Sequence, residues 1–314
     1  MKVIFLGTPE FAVPSLKAIV GAGHDVPLVI TQPDRPKGRD GRPQPPPVKL
    51  AAQALNVPVL QTESVNTDDT WSILHKLRPD VIAVAAFGQI LGRKVIEAAR
   101  IACINVHASL LPKYRGAAPI PAAILNGDEV TGVTIQKMVR KVDAGDIIRQ
   151  CSTPIGADET AGELTERLAH LGAGLLVEAM ADLEAGRASF VVQDEREATC
   201  APMLDKKDGQ IKWTDRADRI ARHVRAMMPW PGAYGFLCRE KTPLRVTFGK
   251  AAANGPHEGL PGEVVAVERE YFAVKAAEGS VLVFRLQPAG KQMMTAAEFI
   301  RGYRLKTGDR FAEG

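Results

Sequence analysis

Asn105 and His107 stand two positions apart at the end of the apolar run "IACINVH". Alternate residues of an extended backbone leave the same side of the chain, so a carboxamide and an imidazole face one reacting group. The carboxamide can only hydrogen-bond, whereas an imidazole, ordinarily titrating at about pH 6.5, can also move a proton. Together they suit a carbonyl whose oxygen turns negative during reaction. Downstream, "VDAGD" sets Asp143 just before a Gly-containing turn, where it can hold the imidazole or a water and relay a proton. Asp146, close by, reads as a structural carboxylate.

Such a pair needs a rigid strand end. Short, continuously apolar runs at Lys2–Leu6, Pro27–Thr31, Val81–Ala85 and Ile101–Val106 predict strands buried on both faces. Amphipathic stretches near Glu10–Ala22, Val48–Asn56 and Asp68–Arg78 alternate with them. That order predicts an α/β fold: a Rossmann-like, mostly parallel sheet with helices on both faces and right-handed crossovers. Ligands of open sheets sit beyond the carboxyl ends of the strands, which is where Asn105 and His107 fall. Strands near Gly132–Val139 and Ile147–Cys151 should flank the Asp143 turn, with a long helix over Thr160–Glu184. These elements make a first domain over 1–190. Polar, aperiodic sequence at 191–209 predicts a linker. In 210–314 a helix at Asp215–Met228 precedes five short strand candidates, Tyr234–Cys238, Leu244–Phe248, Glu263–Val267, Tyr271–Lys275 and Val281–Leu286. Five short strands suggest a C-terminal OB-like β-barrel domain.

The 314 residues suit two domains, and 46% hydrophobic with 24% charged residues argues against extensive disorder. No apolar run approaches the roughly 18 residues needed to span a bilayer. Four scattered cysteines, with no Cys-x-x-Cys pair, read as reduced thiols and point to the cytoplasm. The net charge of +4 is uneven. Residues 1–206 carry 22 Lys+Arg against 24 Asp+Glu, and residues 207–314 carry 18 against 12, which hints that the second part meets a polyanion.

The sequence resembles the 10-formyltetrahydrofolate-dependent formyltransferase family. "SLLPKYRG" after Asn-x-His, and "VDAGDI", are similar to that family's signatures. The likeness extends through "FLGTPEFAVPSL", "TQPDRPKGR", "AAFGQIL", "GAAPIPAAILNGD", "PWPGA" and "LQPAGKQMM", so it spans almost the whole chain. It implies formyl transfer from 10-formyltetrahydrofolate, used as donor substrate without a metal. The implied acceptor is the amino group of methionine on initiator tRNA, for translation initiation. Asn105, His107 and Asp143 take the family's catalytic positions. Ser109, Leu110, Leu111 and Pro112 are implied donor contacts, largely through backbone and apolar groups, and Phe87 and Gln89 are implied lining of the pterin pocket. The family also implies an OB-like tRNA-binding second domain, and a monomer is expected.

The run "DRPKGRDGR" carries Arg35, Lys37, Arg39 and Arg42 among Pro and Gly after the second strand. Such a loop can grip phosphates, or it can simply be exposed; the resemblance implies contact with the tRNA acceptor arm, Arg39 foremost. Arg216, Arg219, Arg222 and Arg225 on the 215–228 helix likewise read either as a solvated face or as an RNA contact. Rival readings are a formyltransferase acting on a ribonucleotide or amino sugar, and a non-catalytic tRNA-binding protein. A nicotinamide oxidoreductase is disfavoured, because no G-x-G-x-x-G stands at the first strand–helix turn.

Overall fold

The computed structural model describes residues 1–36, 41–238 and 242–313, which fall into two compact units. The first comprises residues 1–119, 130–154 and 165–201. Its sheet is built from β1 (Lys2–Gly7), β2 (Asp25–Thr31), β3 (Val59–Gln61), β4 (Val81–Ala85), β5 (Ala102–His107), β6 (Val130–Lys137) and β7 (Ile147–Pro154). The spatial order is β3-β2-β1-β4-β5-β6-β7. The first five strands run parallel; β6 and β7 extend the sheet antiparallel. Ile4, Leu6, Ile30, Ile82, Val84 and Cys103 share an apolar cluster with Leu74 and Val95, while Val3 and Phe5 are fully buried on the opposite face. Burial of both faces explains why these strands read as continuous apolar runs.

Helices α1 (Val13–Gly21), α2 (Pro47–Ala54) and α3 (Asp68–Leu77) connect the parallel strands. The α3 start is fixed locally: Thr67 accepts the Thr70 backbone N–H, and Asp68 and Asp69 complement the positive helix end. The long helix α4 (Ala161–Glu184) brings Gly172 against Val106 and Val133, the sheet face opposite to Asn105 and His107.

Residues 191–201 are built into this unit and do not hang as a linker. Val191 pairs with Ile147, and Cys200 bridges to Arg115 in parallel fashion. Polar side-chain and backbone bonds hold the segment, so it shows none of the apolar periodicity by which packed elements are recognised in sequence.

The second unit comprises residues 120–129, 155–164 and 202–314. Strands β8 (Ala233–Cys238), β9 (Leu244–Asn254), β10 (Val264–Val267), β11 (Phe272–Lys275), β12 (Ser280–Pro288) and β13 (Arg310–Ala312) lie in the order β10-β11-β12-β9-β8-β13. An antiparallel bridge from Glu263 to Arg310 brings the two ends together into a nearly closed barrel. Trp213, Phe248, Phe272, Phe299 and Phe311 fill its core with ring-to-ring contacts. Helix α5 (Ala217–Ala226) buries Ala217, Ile220, Val224 and Ala226. Helix α6 (Ala296–Tyr303) starts with a reciprocal capping box between Thr295 and Glu298. Neither this helix nor the short strand β13 was among the sequence expectations. Among the described residues no helix is long and apolar enough to cross a membrane.

Candidate active site

Strand β5 ends in Asn105-Val106-His107, and β6 pairs with it so that Asn105 faces Gln136 and His107 faces Thr134. The four side chains therefore stand on one face of the sheet, at the carboxyl end of the last parallel strand.

His107 is 5% exposed. Its Nε2 lies 2.9 Å from the backbone oxygen of Tyr114. A carbonyl oxygen only accepts, so Nε2 carries a hydrogen in either charge state of the ring. Nδ1 is then the nitrogen left for chemistry, and it lies 3.6 Å from Asp143 Oδ2.

Asp143 sits in the left-handed backbone region at φ 48°. The Gly116 N–H donates to its Oδ2 at 2.9 Å, and Gln136 Nε2–H donates to its Oδ1 at 2.8 Å. Every bond uses the carboxylate as an acceptor. Two residues on, a Cβ at Gly145 would sit 1.7 Å from the Lys137 backbone oxygen, so only glycine lets the turn close against β6.

Around these groups runs a buried network that sequence reading missed. Gln193, 5% exposed, donates from Nε2 to the backbone oxygens of Asp143 (2.9 Å) and Gly145 (2.7 Å). Its Oε1 accepts from Arg115 Nε (3.0 Å) and Nη2 (2.8 Å). Arg115 also pairs with Glu195, which Lys141 reaches at 2.7 Å. The bonds from Arg115 first, then Lys141, hold the Glu195 carboxyl down at about 2. Thr199 accepts the Tyr114 N–H through its hydroxyl and the Arg115 N–H through its backbone oxygen. The segment 193–201 thus fixes both the loop that supplies the Tyr114 carbonyl and the turn that supplies Asp143.

The expected donor contacts are only partly free. Thr134 Oγ1 accepts the Leu111 N–H and donates to the Ser109 carbonyl, while Gln150 Nε2–H donates to the Leu111 carbonyl. The Pro112 carbonyl accepts the Thr199 N–H, and Ser109 Oγ donates to the Lys113 carbonyl. Of the four, Leu110 and Pro112 are half-buried, while Ser109 and Leu111 are buried. Phe87 is buried in the apolar cluster, and its carbonyl accepts from Thr8 Oγ1 and Gln32 Nε2. Gln89, expected as lining of the pterin pocket, has its side-chain carboxamide bonded within the protein. Its Oε1 accepts the Val65 N–H at 2.7 Å and its Nε2–H donates to the Thr62 carbonyl at 3.0 Å, making the side chain a brace.

Arg35 stands on a two-residue ladder in which 35–36 pairs with 43–44, and its guanidinium meets Glu63. Asp34 bonds to Gln61 Nε2 and Lys49 Nζ, which hold its carboxyl below the usual range. Arg42 is exposed. Lys37 and Arg39 lie outside the described residues. The α5 arginines are occupied within their own unit. Arg216 pairs with Asp218 and Glu278, Arg219 with Asp215 and Arg222 with Asp218, while Arg225 donates to the Gly156 and Glu159 carbonyls.

Among the described residues no group of three or more His, Cys, Asp or Glu is placed to hold a metal ion. One sheet face carries the Asn105 carboxamide and the His107 imidazole, with the Asp143 carboxylate beside the imidazole, groups that suit acyl transfer to an amine.

The formyl transferase family matches residues 1–180, and its C-terminal domain matches residues 203–304. The chain belongs to the formyl transferase family. Similar curated proteins include the methionyl-tRNA formyltransferase of Moorella thermoacetica, 44% identical over 309 residues and 98% of each chain. The methionyl-tRNA formyltransferase of Geobacter sulfurreducens is 42% identical over all of this chain and 97% of its own. Two solved structures share the fold. One is an N-formyltransferase from Helicobacter canadensis with folinic acid and dTDP-3-aminofucose: TM-score 0.67, 19% identity, covering 90% of this chain and 98% of that one. The other is HypX from Aquifex aeolicus with tetrahydrofolic acid: TM-score 0.65, 18% identity, covering 100% of this chain and 51% of that one.

Proposed function

We propose that the protein transfers the formyl group of 10-formyltetrahydrofolate to the amino group of methionyl initiator tRNA. One observation carries the chemistry: Asn105 and His107 Nδ1 share a sheet face at a strand end, with Asp143 beside the imidazole. The full-length likeness to methionyl-tRNA formyltransferases carries the choice of acceptor over amino sugars or ribonucleotides.

The amine lone pair attacks the formyl carbon and the carbonyl π pair moves to oxygen. The resulting oxyanion takes hydrogen bonds from Asn105 Nδ2–H and from His107 Nδ1–H, the imidazolium being held by the Tyr114 carbonyl and Asp143. The attacking nitrogen then sheds a proton toward the Asp143 carboxylate. As the oxyanion collapses, the bond to the donor nitrogen breaks and that nitrogen takes the Nδ1 proton of His107, which the proton held by Asp143 replaces. One proton has thus passed from the arriving nitrogen to the departing one, and no covalent enzyme intermediate forms. A single oxyanion donor is worth about 2.7–4 kcal/mol, and acid–base assistance about 10²–10⁴-fold.

In this reading Ser109–Pro112, Phe87 and the Gln89 backbone contact the donor. Arg35, Lys37, Arg39 and Arg42 meet the tRNA phosphates, and the second domain, with its 18 Lys+Arg against 12 Asp+Glu beyond residue 206, supports the RNA. The enzyme works in the cytoplasm as a monomer. Incubation with charged initiator tRNA and labelled donor tests the assignment directly. Formylmethionine on tRNA is the expected product; label passing only to a small ribonucleotide or amino sugar would refute it. Asn105→Ala and His107→Ala should retain tRNA affinity and lose most turnover.

A further inference from the structure

Gln136 takes no part in the chemistry just described, yet it is 2% exposed and opposes Asn105 directly across the strand pair. Its two polar ends have different fates. Nε2–H donates to Asp143 Oδ1 at 2.8 Å, while Oε1 is buried with no hydrogen-bond partner among the described residues. The carboxylate accepts, so the amide cannot be turned round: Oε1 is fixed as the end facing away from Asp143. Leaving such an acceptor buried and unpaired costs about 1–3 kcal/mol, so a donor is due there at some stage of the working cycle. Directly opposite stands Asn105, whose carboxamide has no hydrogen-bond partner among the described residues either. Its NH₂ has two hydrogens, and an oxyanion uses one.

We propose that Gln136 is a positioning residue that couples Asp143 to Asn105. Its Nε2–H fixes the carboxylate beside His107, and its Oε1 accepts one N–H of Asn105, so that the second N–H points at the oxyanion. The chain then runs Asn105 N–H to Gln136 C=O, and Gln136 N–H to Asp143, with all dipoles aligned and each bond polarising the next. Pre-orienting the donor lets it meet the developing charge without reorganising during the reaction.

This inference rests on the formyl-transfer reading of the site, and its test separates the two. Gln136→Met keeps the side-chain length and removes both polar ends. It should lower kcat about tenfold to a hundredfold, with KM for the donor and for charged tRNA within about twofold. Gln136→Met should slow the Asn105→Ala enzyme by a clearly smaller factor than it slows the parent, because the part of its loss that runs through Asn105 is already gone. A Gln136→Met enzyme at full rate, or losses that multiply in the double variant, would overturn the coupling. Thermal unfolding of Gln136→Met, Asp143→Ala and their combination gives a readout without activity. Non-additive Tm losses are expected there, and additive losses overturn the Gln136–Asp143 link. Absence of formyl transfer by the unaltered protein would instead remove the formylation reading, with the thermal cycle still deciding the Gln136–Asp143 link.

Discussion

Replacing Gln193 by alanine should damage an active site whose reacting groups it never touches. The side chain makes four hydrogen bonds, three of them buried: two to the backbone oxygens of Asp143 and Gly145, and two from the Arg115 guanidinium. Bonds between neutral groups are worth about 0.5–1.5 kcal/mol and bonds to charged groups about 1.5–3, so the sum would be about 4–9 kcal/mol. Arg115 keeps both of its bonds to Glu195, and water can reach part of the space left behind. The net loss should therefore be nearer about 3 kcal/mol, which for a unit of this size lowers Tm by about 6–12 °C. Asp143 loses the anchor on its left-handed backbone, and an ångström of drift can cost about a hundredfold in rate. Differential scanning calorimetry and single-turnover formylation measure both effects. Arg196→Ala, which breaks only the exposed pair with Asp194, is the control and should change Tm little. A Gln193→Ala protein that melts within about 2 °C of the parent and turns over normally would return residues 193–201 to the status of a linker.

The Glu195 clamp has a defined pH signature. Its carboxyl is lowered from 4.5 to about 2 in the folded protein, so its stabilisation is complete above about pH 4.5 and fades as pH falls toward 2. The Tm gap between the parent and Glu195→Gln should hold from pH 8 to 5 and close below; a gap unchanged near pH 2 would contradict the pairing. Burial pushes the Cys103 thiol up to about 12, whereas Cys200 and Cys238 are exposed. Ellman's reagent at pH 8 should label the exposed pair promptly and Cys103 only after denaturation; equal rates would refute its burial. Two glycines of α4 should respond oppositely to alanine. At Gly172 a Cβ meets Val106 at 2.8 Å and Val133 at 3.2 Å, and the overpacking should cost about 1–3 kcal/mol and disturb the strand that carries Asn105 and His107. At Gly174 nothing lies within 4 Å, and alanine should stabilise by about 0.5–1 kcal/mol; matching Tm shifts for the two would contradict this packing.

Four of the five parallel strands were legible because burial on both faces leaves an unbroken apolar record, whereas the short, half-buried edge strand Val59–Gln61 was not; Asn105 and His107 stood out because their spacing and strand-end position need only local information. What escaped depended on pairing or on backbone bonds. Gln136 has meaning only once its register opposite Asn105 is known. Gln193 lies in a polar stretch whose order comes from side-chain bonds to distant carbonyls. Gln89 looked available because its partners, Thr62 and Val65, come from another segment. The arginines of α5 left two readings open: Asp215–Arg219 and Asp218–Arg222 are i,i+4 pairs legible on the expected helix, whereas Glu278 reaches Arg216 from a distant segment. Helix α6 did leave a local trace: Thr295 with Glu298 three positions on is a readable helix start.

Two of the groups that hold the imidazole and the carboxylate, the Tyr114 carbonyl and the Gly116 N–H, belong to the main chain. Exchanging one side chain for another at position 114 leaves that carbonyl in place. At position 114 a change of side chain is therefore tolerable where a change of loop length is not. A single inserted or deleted residue between 108 and 118 would slide both anchors out of register, and proline at 116 would erase the N–H altogether. Natural variants of this stretch should thus agree in spacing and keep glycine at 116, where φ is 116° and a Cβ would meet the Ala201 backbone oxygen at 2.6 Å.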